Sequence, residues 1–221
     1  MLTVVPTSIG NLADMTYRAV EVLKNSDLIA SEDTRHTGQL LKHYEIITPQ
    51  ISFHEHNEVS RVPELVARMQ NGLKLALVSD AGTPSISDPG FRLVRATADA
   101  GIPVTVLPGA CAAITALVGS ALPSDHFCFA GFIPQRPGRR LRAIQEALER
   151  EGTTIFYESP YRVVKALEAI VSLDPERKIC TARELTKIHE EYNRGTAREL
   201  LTHFSSTTPR GEFCILIEGK K

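Results

Sequence analysis

The chain has 221 residues, 43% of them hydrophobic and 23% charged, with a formal net charge of −1, a soluble composition long enough for one large or two small cores. The near-zero balance does not announce a nucleic-acid partner, and no window reaches the ~20 consecutive apolar residues of a membrane span. Met1 leads directly into "LTVVPTSIG" with no basic stretch or long apolar run, so a soluble, cytoplasmic protein is expected.

The first half alternates strand and helix signals. "LTVVP" reads as a strand, "TYRAVEVLKNS" as a helix from its spacing near 3.6, and "DLIAS" as a short strand, a βαβ opening. A helix over 37–43 and another through "VPELVARMQNG" come next, followed by the strand "KLALVS" and the helix "PGFRLVRATADAG". The strand "PVTVLPG" then runs into "ACAAITALVGSAL", whose small residues suit a helix packed closely on a sheet. Continuous apolar strands joined by helices predict a mostly parallel α/β sheet. The Pro/Ser/Asp break in "LPSDHF" places a boundary near residue 122, giving an N-terminal α/β domain over 1–121 and a mixed α/β domain over 122–221. In the second domain "FCFAGF", "TIFYES", "RKICTAREL", "HEEYNRG" and "EFCILIEG" read as strands, with two or three helices. The last three strands are close enough in sequence to pair antiparallel.

Chemistry concentrates in the loops. "PTSIGN", "SDAGTPSISDPG" and "LPGACAAIT" gather glycine, proline and small polar residues at carboxyl ends of first-domain strands, the edge where open α/β sheets bind ligands. No G-x-G-x-x-G follows the first strand and no G-x-x-x-x-G-K-[ST] occurs, so a dinucleotide or nucleoside triphosphate loses support. Backbone groups, hydroxyls and small apolar patches suit a flat heterocycle with a ribose. Ordinary turn chemistry is the other reading, with Gly82 and Gly90 supplying unusual φ values and Pro84 and Pro89 fixing others.

In "ASEDTRHTGQ", Glu32, Asp33, Arg35 and His36 follow a strand end. They suit substrate orientation or proton removal; alternatively Asp33 or Thr34 caps a helix and Arg35 pairs with a neighbouring carboxylate. His54 and His56 stand two apart without an obvious third ligand, so a strand end is favoured over a metal site. Cys111, Cys128, Cys180 and Cys214 lie far apart in apolar stretches, as reduced core thiols do. No G-x-S-x-G elbow supports serine chemistry. "ARELTK" carries Arg183, Glu184 and Lys187, and "YESPYR" carries Tyr157, Glu158 and Arg162; these groups face the first-domain loops or form surface ion pairs. The first domain holds 9 Lys/Arg against 12 Asp/Glu and the second 16 against 14, with Arg136, Arg139, Arg140 and Arg142 packed into "RPGRRLR". A polyanion contact is expected there, or else a solvated helix start.

Five stretches, "VVPTSIGNLADMTYRAVEVL", "LIASEDTRHTGQLL", "LALVSDAGTPSISDPG", "LPGACAAITALVGSALPSDHFCFAGF" and "ARELTK", together resemble the tetrapyrrole methylase (class III) family, and within it the branch directed at small-subunit ribosomal RNA. The resemblance implies a two-domain homodimer that binds S-adenosylmethionine in the cleft between its domains. Its implied substrate is the ribose 2′-oxygen of a cytidine in the decoding region of 16S rRNA, within the small ribosomal subunit and without a metal. It places "GTPSI" where the family has a cofactor loop, making Thr83 and Ile86 contacts, with Gly82, Pro84 and Ser85 shaping the turn and Asp80 beside it. By the same resemblance "PGACA" adds Gly109, Cys111 and Ala112, the first loop adds Thr7, Ile9 and Gly10, and Tyr157 joins from the second domain.

Methyl transfer of this kind needs oxygen, carbon and sulfur in line, a positioning effect of roughly 7–11 kcal/mol, and a proton acceptor adds about 10²- to 10⁴-fold. Asp33 and Glu184 are expected as acceptors, Arg35 and Lys187 as groups that hold phosphate or acidify the hydroxyl, and Arg136, Arg139, Arg140 and Arg142 as RNA contacts. Ser8 and Ala110 stand where the family has proline, which loosens both loops. Relatives continue into a small helical segment, so weaker RNA docking is expected of these residues alone. A small-molecule (tetrapyrrole) methylase and an S-adenosylmethionine-binding module with little turnover are the alternatives; "EDTRHT" and "ARELTK" match the RNA-directed branch.

Overall fold

Residues 1–220 are described by a computed structural model, in which the chain divides into two compact units between Cys111 and Ala112. In the first, β1 (Leu2–Val4), α1 (Tyr17–Asn25), β2 (Leu28–Ser31), α2 (Thr34–His43), β3 (Gln50–Ser52), α3 (Glu58–Gln70), β4 (Leu75–Val78), α4 (Phe91–Asp99) and β5 (Val104–Val106) alternate. The strands form one all-parallel sheet in the order β3-β2-β4-β1-β5.

The complete burial of β1, β2 and β4 is explained by helices on both faces. Leu75 and Leu77 of β4 pack with Leu65, Met69 and Leu93 from α3 and α4. The intervening Ala76 and Val78 pack with Ala19, Leu23, Leu40 and Leu41 from α1 and α2. Helix starts are set locally: Thr16 accepts the Ala19 N–H at 3.0 Å ahead of α1, and Asp33 caps α2.

The second unit runs α5 (Ala112–Ser120), β6 (Phe127–Phe132), α6 (Pro137–Glu149), β7 (Thr153–Glu158), α7 (Val163–Leu173), β8 (Lys178–Arg183), β9 (Glu191–Thr196), α8 (Ala197–Ser205) and β10 (Phe213–Glu218). Its sheet has the order β6-β7-β10-β8-β9. β6 lies parallel to β7 and every other pair is antiparallel, so the sheet is mixed. The three final strands pair as β10-β8-β9, with β10 inserted beside β7.

Three features differ from expectation. α5, read with the first unit and a division at 121/122, packs instead on the second sheet, where the Tyr192 hydroxyl donates to the Thr115 carbonyl at 3.2 Å. Its small residues allow this: Ala113 and Ala116 are buried, and a Cβ on Gly119 would lie 2.4 Å from the Tyr192 ring. β3 is the strand whose end was read at His54 and His56, but it closes earlier, at Ser52. α3 begins at Glu58, four residues ahead of the "VPELVARMQNG" stretch read as helical.

Candidate functional site

Loops leave the carboxyl ends of three neighbouring strands, β4, β1 and β5, and they interlock. The Thr7 N–H donates to the Gly82 carbonyl at 2.9 Å, and its hydroxyl donates to Ser79 O at 3.3 Å. The Thr83 hydroxyl donates to Ala110 O at 2.9 Å. Two glycines make the approach possible, since a Cβ on Gly109 would lie 2.5 Å from Pro6 Cβ and one on Gly82 would lie 3.2 Å from Ile9 Cγ2. Thr7, Ser8 and Ile9 are buried beneath the platform, whereas Ile86 is 39% exposed. Thus Thr7, Ile9, Gly82, Thr83 and Gly109 share one surface built by hydroxyl and backbone hydrogen bonds, with Gly10, Pro84, Ile86 and Cys111 on the same loops.

The loop after β4 holds strain. Ser85 and Ser87 have φ of 73° and 65°, a region that costs a non-glycine residue about 1–3 kcal/mol and recurs at ligand-binding segments. The Ser85 hydroxyl is buried with no hydrogen-bond partner. Gly90 turns back against it, where a Cβ would meet Ser85 Oγ at 2.6 Å.

Carboxylates line the adjoining edge. Asp80 accepts the Asp33 N–H at 3.0 Å, tying the loop after β2 to the loop after β4, and its own N–H bonds the Glu32 carboxylate. Burial, then the charges of Asp88 and Asp80, push Glu32 up to about 7. Burial and then Asp80 push Asp88 up to about 6 against a hydrogen bond from Ser79. Glu32 stood in the expected ionisable run, but its distinction from Asp33 depends on carboxylates from another loop.

The two expected proton acceptors are otherwise engaged. Asp33 accepts from the Arg35 N–H at 2.8 Å and from its guanidinium at 2.8 and 3.1 Å; the Arg35 side-chain hydrogen bond comes first among the effects holding its carboxyl below the usual range. Burial raises Glu184, but the Lys187 ammonium at 2.9 Å and the Glu212 N–H outweigh it and leave the carboxyl lowered. Lys187 also bonds Glu212 at 2.8 Å. Both acids therefore stay ionised and weakly basic, Asp33 as a helix cap and Glu184 as half of an ion pair.

The remaining expected residues lie in the second unit. Ala112 opens α5, and Tyr157 on β7 packs edge-on against Phe129 and Phe132 at 4.7 and 5.8 Å. Arg136, Arg139 and Arg142 are exposed at the start of α6. Arg140 differs, donating to Pro134 O at 3.4 Å and Gln135 O at 2.6 Å, so it clamps the entry to that helix. Among the described residues no three His, Cys, Asp or Glu side chains gather as a metal site, and His54 and His56 meet edge-on at 5.8 Å.

Comparison with known proteins bears on this arrangement. Residues 1–201 match the model of the Tetrapyrrole (Corrin/Porphyrin) Methylases. The chain is 50% identical over 220 residues, 99% of its length and 79% of the relative's, to a Synechocystis protein named Ribosomal RNA small subunit methyltransferase I. It is 49% identical to the protein of that name from Escherichia coli O157:H7, over 100% of this chain and 78% of the relative. A crystal structure of the methyltransferase CobJ superposes with a TM-score of 0.72 at 18% identity, covering 98% of this chain and 93% of that one, a likeness of fold.

Proposed function

The chain belongs to the tetrapyrrole methylase family, and on that premise we propose that it transfers a methyl group from S-adenosylmethionine to small-subunit ribosomal RNA, at the ribose 2′-oxygen of a cytidine. The observation that carries the reading is 50% identity along 99% of the chain to a relative named for small-subunit rRNA methylation. We further propose that it acts in the cytoplasm as a homodimer on the small ribosomal subunit; no described helix is long and apolar enough to cross a membrane.

The residues present fit the methyl donor. The unpartnered Ser85 hydroxyl and the exposed Ile86 suit a ribose and a flat base, and the Glu32, Asp80 and Asp88 carboxylates suit a cationic ligand. When bound, S-adenosylmethionine supplies an electrophilic methyl on a sulfonium. In this proposal Thr7, Ile9, Gly10, Gly82, Thr83, Pro84, Ile86, Gly109 and Cys111 form its seat, with Asp80 fixing the Glu32 loop.

Glu32 takes the 2′-hydroxyl proton in this scheme, because its affinity for a proton sits near the working pH as a general base requires. Asp33 and Glu184 hold Arg35 and Lys187, which bind phosphate. The test is transfer of labelled methyl from S-adenosylmethionine to small ribosomal subunits lacking the modification, beside a precorrin acceptor. Label in the RNA supports the proposal; label in the tetrapyrrole alone overturns it.

A further inference from the structure

The turn joining β7 to α7 is braced. Glu158 ends the strand with its side chain only 2% exposed, bonded at 2.6 Å by the Arg162 guanidinium and at 2.7 Å by the Ser159 N–H. The Arg162 N–H closes the turn on the Ser159 carbonyl at 2.9 Å, and Pro160 fixes its own φ. A buried ion pair adds little net stability, because desolvation offsets its attraction; its effect here is to hold a backbone in one shape. What that shape displays is Tyr161, 91% exposed.

The surroundings of that ring are cationic. β6 and β7 are parallel neighbours, so the loop entering α6 opens at the same sheet edge as residues 159–162. The charge of Arg140 reaches Glu158, Arg162 stands in the turn itself, and Lys165 is exposed in the first turn of α7. The turn's one carboxylate is buried against Arg162. A solvent-facing aromatic ring on a braced turn within a basic edge matches a polyanion with unstacked bases, which is how single-stranded RNA is gripped.

We infer that Tyr161 is a stacking platform for an unpaired base of the substrate RNA, a role that rests on the proposed RNA methylation and picks out a residue of "YESPYR" to which the sequence reading gave no role. Stacking needs the ring and not the hydroxyl, so Tyr161→Phe keeps RNA affinity. Tyr161→Ala weakens it by about 5- to 150-fold.

The experiment measures binding of the full chain to unmodified small subunits, and KM and kcat for methyl transfer, with S-adenosylmethionine affinity as the control. For Tyr161→Ala the expected result is a raised KM and RNA Kd, with kcat and cofactor affinity unchanged and the salt slope of RNA binding preserved, since no charge is removed. A wild-type RNA Kd for Tyr161→Ala overturns the inference while leaving RNA methylation standing. So does a Tyr161→Phe variant as weak as Tyr161→Ala, which assigns the effect to the hydroxyl. An unaltered chain that neither binds nor methylates the subunits overturns the parent reading, and this one with it.

Discussion

Glu32 and Asp33 are adjacent carboxylates with opposite fates, and the difference lies in what each one meets. Asp33 faces Arg35 and the start of a helix; Glu32 faces burial and the acids Asp88, Asp80 and Glu55. The folded values of about 7 for Glu32 and about 6 for Asp88 lie above their ordinary 4.5 and 3.8, so the folded state binds more protons than the unfolded state between these limits. Their contribution to stability is complete below about pH 4 and is lost as pH rises through about 6 to 7. Glu32→Gln and Asp88→Asn are therefore expected to raise the melting temperature at pH 8 and to flatten its decline from pH 5, as read by calorimetry; an unchanged Tm at pH 8 contradicts this. Glu32→Gln should also slow single-turnover methyl transfer by about 10²- to 10⁴-fold and remove a rise in rate through neutral pH, whereas Asp33→Asn should leave that rise in place. Gain of stability with loss of rate is the pattern of a functional group held in an unfavourable setting. The sequence showed the Asp33 cap and the Arg35 pair as one of two readings. It offered Glu32 among the candidates for proton removal but did not single it out, because a proton affinity set first by burial and then by Asp88 and Asp80 depends on loops that meet only in the fold.

At the scale of elements, the candidate site is three loops locked by backbone contact, and the lock depends on glycine at named points. Gly109→Ala forces a methyl group against Pro6 and should cost about 1–3 kcal/mol, with a matching loss of S-adenosylmethionine affinity. Gly101→Ala, at φ 69° with nothing within 4 Å, carries only the backbone penalty of about 1 kcal/mol and should leave that affinity intact. Urea unfolding with cofactor titration separates the two; equal affinity loss in both variants contradicts the interlock. The alternation of strands and helices was legible because β1, β2 and β4 are apolar on both faces. β3 was legible only as a strand end at His54 and His56, since its three half-buried residues carry no periodicity to set its limits. α5 was legible as a helix but not as part of the second unit, because a helix rich in small residues does not reveal which sheet it packs on.

For the molecule as a whole, the net charge of −1 conceals a basic edge on the second unit, and the arginines there divide by role. Arg136, Arg139 and Arg142 are exposed, so replacing all three with glutamine should weaken RNA binding and lower its salt slope by about 2 to 3 without lowering the melting temperature. Arg140→Gln should lower the melting temperature as well, because it releases the carbonyls of Pro134 and Gln135. The chain spans 79% and 78% of the two relatives compared. The most direct test of the central claim is the chemical identity of the product: digestion of small-subunit rRNA after reaction with the chain and S-adenosylmethionine, followed by mass spectrometry of the nucleosides and mapping of the modified position. The account predicts 2′-O-methylcytidine at one position, and methyl groups on bases, or no modified nucleoside at all, would contradict it.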